Sequence, residues 1–71
     1  MRSLPFREVR RRLESLGFAQ VSQAGSHVKF VQRREGRDLI VIVPRHQTVA
    51  AGTIRSILRQ AAITPQTWDS L

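Results

Sequence analysis

Apolar residues recur along the first quarter of the chain at Phe6, Val9, Leu13 and Leu16, spacings of three, four and three that fall on one face of an α-helix. Pro5 suits the first turn of such a helix and Gly17 supplies a left-handed stop just past its end, so the pattern predicts a helix over residues 4–16. Glu8 and Arg12 stand at i and i+4 on the polar side, in the order that favours an ion pair. The period then changes to two. A short strand is expected over residues 18–23, anchored by Phe18 and Val21, and Gly25 offers the φ freedom of a hairpin reversal. From His27 to Arg33 the chain alternates, with His27, Lys29, Val31 and Arg33 on one face and Val28, Phe30 and Gln32 on the other. A second turn, Arg34-Glu35-Gly36-Arg37, leads to a strand over residues 38–43 that carries the unbroken apolar run Leu39-Ile40-Val41-Ile42-Val43. Pro44 ends it, because proline cannot continue a ladder.

Beyond a loop over residues 44–52, Ile54, Ile57, Leu58 and Ala61 return to helical spacing and predict a helix over 51–61, with Arg55 and Arg59 one turn apart on its other side. Thr64 before Pro65 reads as an N-cap followed by proline at the first helical position, opening a final turn over 65–70 in which Trp68 is a lid on the core. The order is helix, a meander of three antiparallel strands, helix, an α+β arrangement. Two amphipathic helices and one sheet bury their apolar sides only if both helices cover the same sheet face. The third strand is apolar at every position, so either Ile40 and Ile42 or Leu39, Val41 and Val43 point to the bare face. An apolar strip on an open sheet marks a surface for a partner.

Size and charge narrow the picture. With 71 residues the chain is expected to form one domain, 1–71, with a modest core. Twelve Lys and Arg against five Asp and Glu give a net charge of +7, and all the bases but Lys29 are Arg, the residue suited to bidentate phosphate contacts. Such a balance favours a nucleic-acid or acidic-protein partner. The absence of cysteine removes disulfides, thiolate zinc sites and thiol nucleophiles. No stretch approaches the ~20 apolar residues of a membrane span, and no signal-like segment is visible, so a cytoplasmic protein is expected.

Glu8, Glu14, Glu35, Asp38 and Asp69 are scattered rather than clustered, which disfavours two-metal phosphodiester chemistry. No glycine-rich loop precedes a lysine at phosphate-cradling spacing. What remains for an enzyme is a metal-free, cofactor-free mechanism, and RNA permits one because its own 2′-hydroxyl is the nucleophile. A base removes that proton, the adjacent phosphorus is attacked, and an acid protonates the departing 5′-oxygen. Histidine titrates near neutrality and suits either step. His27 lies in Gly25-Ser26-His27, and its strand neighbour Lys29 is on the same face, Cα atoms roughly 7 Å apart. Lys29 or a nearby arginine would stabilise charge on the phosphoryl oxygens. His46, following Pro44 and Arg45, is a second imidazole of open role, either a loop-ordering side chain or a partner in proton transfer. Arg33, Arg34, Arg37 and Arg45 gather at strand ends, where they hold phosphates or are ordinary solvated turn charges.

These stretches together resemble the HicA toxin family of bacterial type II toxin–antitoxin systems. Glu8-Val9 through Leu13-Glu14 and Gly17-Phe18 is similar to that family's first helix and its exit, and Gly25-Ser26-His27-Val28-Lys29-Phe30 to its active-site strand. Val43-Pro44-Arg45-His46 is similar to the loop after the sheet, and Gly52-Thr53-Ile54-Arg55-Ser56-Ile57-Leu58-Arg59-Gln60-Ala61 with Ile63 to the second helix and its exit. The chain departs from the pattern at Ala62, where glycine is common, and at Val28, where larger polar or aromatic residues are frequent. The resemblance implies a fold like a double-stranded-RNA-binding domain and an mRNA-cleaving ribonuclease that uses no metal, with His27 catalytic. Around it Gly25, Ser26, Lys29, Arg33, Arg45 and His46 are the residues expected to support the site or bind RNA. It also implies a HicB-like antitoxin that covers the site. One histidine does not serve as both acid and base in one step, so the second role stays open among His46, Lys29 and water.

The rival is a non-catalytic RNA-binding module. Such domains grip phosphates with lysines at the start of their second helix, whereas Thr48-Val49-Ala50-Ala51-Gly52 carries no charge here.

Overall fold

A computed structural model describes residues Met1–Leu71. In chain order the elements are β1 (Leu4–Pro5), α1 (Phe6–Ser15), β2 (Ala19–Ala24), β3 (His27–Arg34), β4 (Arg37–Pro44), β5 (Thr48–Val49), α2 (Ala51–Ala61) and α3 (Pro65–Asp69). The expected α-β-β-β-α order is present, with β2-β3-β4 as an antiparallel meander.

The structure departs from the sequence expectation at the start of α1, in the 44–52 loop, where Thr48–Val49 forms β5, and at the anchors of β2. The first helix begins at Phe6 rather than residue 4, because Leu4 and Pro5 are extended and pair with Val49 and Thr48. This two-stranded ribbon tucks Leu4 and Val49 into the core, and Pro5, at φ −65° and ψ 151°, stands outside the helix as its N-cap. Val21 is not an anchor of the first strand. A bulge between Gln20 and Ser22 takes it out of register with β3, and it is 56% exposed. No residue of β2 is buried, so this strand is held by its pairing to β3 while Phe18, just before it, reaches the core.

Both meander turns are two residues long. Gly25 opens the first at φ +59°, and Glu35 and Gly36 form the second with φ of +52° and +75°, the double positive φ of a type I′ hairpin. The second turn sets the β3–β4 register: Arg34 faces Arg37, Phe30 faces Val41, Val28 faces Val43 and His27 faces Pro44. Val28, Phe30, Val41 and Val43 therefore share the inner face and are fully buried. Phe6, Val9 and Leu13 of α1 and Ile54, Ile57, Leu58 and Ala61 of α2 join them in one cluster of 15 residues, closed by Trp68 of α3. Both helices thus lie over the same sheet face. Of the two alternatives for the third strand, Ile40 and Ile42 are the pair on the open face, 45% and 39% exposed.

Each long helix ends in a Schellman hook. Phe18 N–H donates to Leu13 O (3.0 Å) and Gly17 N–H to Glu14 O (3.0 Å); Ile63 N–H donates to Leu58 O (3.1 Å) and Ala62 N–H to Arg59 O (3.2 Å). The left-handed residue is Gly17 at φ +97° in the first hook and Ala62 at φ +56°, ψ +47° in the second.

Polar side chains tie the layers together. Gln32 Nε2 donates to Leu16 O (2.7 Å) and Gln32 Oε1 accepts from Arg34 (2.6 Å), whose other nitrogen donates to Ala61 O (3.2 Å). Arg34, a possible phosphate holder by sequence, thus serves the carbonyl end of α2. Arg12 bridges α1 to α3, donating to Trp68 O (3.1 Å) with its guanidinium 5.3 Å from the indole centroid. Glu8 holds Arg12 in place (2.8 Å) and also accepts from Arg11 (2.6 Å). Gln60 Oε1 accepts the outward N–H of Ile42 (2.9 Å) at the free edge of β4.

Candidate active site

His27 is the first residue of β3, exposed, and the alternation that buries Val28 and Phe30 puts it on the open face with Lys29 and Val31. Its cross-strand partners are Ala24 on one side and Pro44 on the other. The histidine therefore sits at one end of the middle strand, with a small residue and a ring lacking an N–H beside it. Lys29 is half-buried opposite Ile42, and Ser22 flanks it on the β2 side.

The turn that carries His27 is clamped. Arg45 N–H donates to Ser26 O, joining the turn to the chain leaving β4. The Arg45 guanidinium donates to Gln23 Oε1 (3.0 Å), and Gln23 Nε2 donates to Gly25 O (2.9 Å). The same guanidinium lies 5.3 Å from the Phe6 ring centroid, so the first residue of α1 backs the clamp. Arg45 organises the turn through these contacts. Neither Gln23 nor Phe6 stood out as a site residue by sequence. A glutamine before a hairpin turn carries no signal of its own, and Phe6 looked like core alone.

Of the residues singled out by sequence, the fold brings Gly25, Ser26, His27, Lys29, Arg45 and His46 to this end of the sheet. Arg33 is not among them. Six residues along β3 from His27, it is roughly 20 Å away by strand rise and faces Asp38 (3.5 Å). Arg37 is likewise at the far turn. No three His, Asp or Glu side chains converge. The carboxylate with a lowered pKa, Glu8 at about 2, owes that to hydrogen bonds from Arg11 and then Arg12, and it lies on α1 away from the site. The three hollows in the surface are elsewhere too, beside Met1, Arg2 and Asp69, beside Arg55, Arg59 and Ile63, and beside Arg34 and Arg37 at the far turn. The histidine site is an open face, which admits an extended polymer lying across it.

Residues 6–63 match the family model described as the HicA toxin of bacterial toxin–antitoxin systems, covering both helices, the whole meander and the clamp. The chain belongs to the HicA toxin family. It is thus the toxin of a toxin–antitoxin pair, and its partner is an antitoxin. No curated protein matches the toxin's sequence. No helix in the toxin is long and apolar enough to cross a membrane.

Proposed function

We propose that this toxin is a metal-independent endoribonuclease that cleaves mRNA in the cytoplasm, with His27 as the general base or acid. The observation that carries the reading is an exposed imidazole beside Lys29 on an uncovered sheet face, borne on a turn held rigid by Arg45 and Gln23. Rigid placement is what acid–base chemistry needs, since a proton moves only within hydrogen-bond reach. Lys29 supplies a positive charge where the phosphorane gains negative charge. The net charge of +7 supports a polyanionic substrate. A HicB-like antitoxin inhibits the enzyme by lying on the open face, where Val31, Ile40 and Ile42 offer apolar contact next to His27 and Lys29.

The test is cleavage of single-stranded RNA in excess EDTA by the wild-type chain and by His27→Ala. Wild type is expected to cut, and the variant to lose about 10²–10⁴-fold in rate while melting at an unchanged temperature. Growth should be arrested by wild type and tolerated with His27→Ala at equal protein levels. A strict metal requirement, or an alanine variant as nucleolytic as wild type, overturns the reading. Binding without any cleavage, steeply dependent on salt, would instead favour the non-catalytic module.

A further inference from the structure

We propose that His46 is the general acid of the cleavage step, giving its proton to the departing 5′-oxygen while His27 takes the proton of the attacking 2′-hydroxyl. This rests on the reading of the toxin as a ribonuclease acting at His27. A single imidazole does not accept one proton and donate another in the same displacement, so a second donor must act, and water is a far weaker acid than an imidazolium. The chain has no cysteine or tyrosine, and the other titratable side chain beside His27 on the open face is Lys29. An ammonium is a weaker acid than an imidazolium, and a lysine that gave up its proton would also give up the charge that steadies the phosphoryl oxygens.

The backbone brings His46 to His27 and holds it there. Pro44 is the cross-strand partner of His27, and Arg45 N–H is bonded to Ser26 O, one residue before it. On the other side, Thr48 is paired with Pro5 two residues after His46. The histidine is therefore anchored on both flanks. A cross-strand Cα pair and two peptide steps bound the His27–His46 Cα separation at roughly 13 Å. Both side chains are exposed, so a phosphodiester has access to each of them. In-line displacement needs its proton acceptor and proton donor on opposite sides of the phosphorus, an arrangement that two residues on adjoining chain segments can supply and one cannot.

The step balances without a further reactant. The 2′-oxygen forms a bond to phosphorus as its proton passes to His27. The bond from phosphorus to the 5′-oxygen breaks, its electron pair stays on that oxygen, and the proton from His46 completes a 5′-hydroxyl. The other product is a 2′,3′-cyclic phosphate. Exchange with water then returns the His27 proton to solvent and reprotonates His46.

A leaving group that needs no proton separates the two roles. The substrates are a dinucleoside monophosphate and uridine 3′-(4-nitrophenyl phosphate), whose phenolate leaves unaided. His46→Ala is expected to lose about 10²–10⁴-fold on the dinucleotide and to stay within a few-fold of wild type on the nitrophenyl ester, whereas His27→Ala loses on both. His46→Gln, which keeps a polar side chain of similar bulk, is measured alongside and decides the matter should the alanine variant melt below the assay temperature. Equal loss on both esters, or no loss on the dinucleotide, overturns the role of His46 and leaves that of His27 standing. A wild-type chain that cuts neither substrate overturns the nuclease reading itself.

Discussion

Replacing Ala62 by glycine is expected to stabilise the toxin by about 1 kcal/mol, and the magnitude follows from the hook that ends α2. Ala62 holds φ +56° and ψ +47°, in the left-handed region, where a Cβ crowds its own carbonyl at a cost of roughly 1–2 kcal/mol. Glycine removes that cost and returns part of the gain, about 0.4–1 kcal/mol, through the greater freedom of the unfolded chain. The methyl group lost is exposed, so little burial goes with it, and the hydrogen bonds of the hook are made by backbone atoms that glycine also has. In a chain of this size about 1 kcal/mol corresponds to a rise of about 4–8 °C in Tm. Urea titration at 25 °C with a calorimetric scan reads both quantities, and m should not change, since no surface is newly exposed. The hook at the end of α1 is the internal control. Gly17 holds φ +97°, and a Cβ there would stand 2.7 Å from Gln32 Nε2, so Gly17→Ala should lower stability through backbone strain and the displaced Gln32–Leu16 bond. If Ala62→Gly leaves the midpoint unmoved or lowers it, the argument from left-handed strain is wrong.

Glu8 gives a pH-dependent prediction. Its carboxyl is held at about 2 against an ordinary 4.5, so its contribution to stability is complete above pH 4.5 and disappears as pH falls toward 2. Urea midpoints of wild type and Glu8→Gln should therefore differ at pH 7 and draw together as pH falls through about 2; a gap as wide at pH 2 as at pH 7 would contradict an ionic origin. Trp68→Ala should cost about 3–5 kcal/mol, a large share of the stability of so small a chain, because the fully buried indole both fills the core and receives Arg12. A loss below 1 kcal/mol in urea titration would show that α3 does not close the core as described.

Much of this architecture is legible before any coordinates, and the exceptions have identifiable causes. The bounds of α2 follow from the spacing of Ile54, Ile57, Leu58 and Ala61, and the start of α3 from Thr64, whose Oγ1 accepts from Thr67 N–H (3.1 Å). Which isoleucines face outward was latent in the turn. A two-residue turn at Glu35-Gly36 puts Phe30 opposite Val41, and the apolar set containing Val28 and Phe30 then draws Val41 and Val43 inward. The bulge at Val21 left no such trace, because AQVSQA has neither a glycine to mark an irregularity nor an alternation to contradict one. At the site, His27 and Lys29 are neighbours by strand period alone. The clamp of Gln23 and Arg45 was hidden because its two residues lie 22 positions apart and meet only once the register of β4 is set.

Each border of the toxin's three-stranded sheet is blunted, one by Gln60 occupying the Ile42 amide and the other by the bulge between Gln20 and Ser22. An incoming strand therefore meets an occupied amide on one border and an irregular strand on the other. On the reading proposed above, in which the antitoxin covers the open face, recognition falls to side chains. Backbone ladders look alike in every protein, whereas side chains differ, so on that reading the fidelity of the match between this toxin and its own antitoxin rests on the outward residues of β3 and β4.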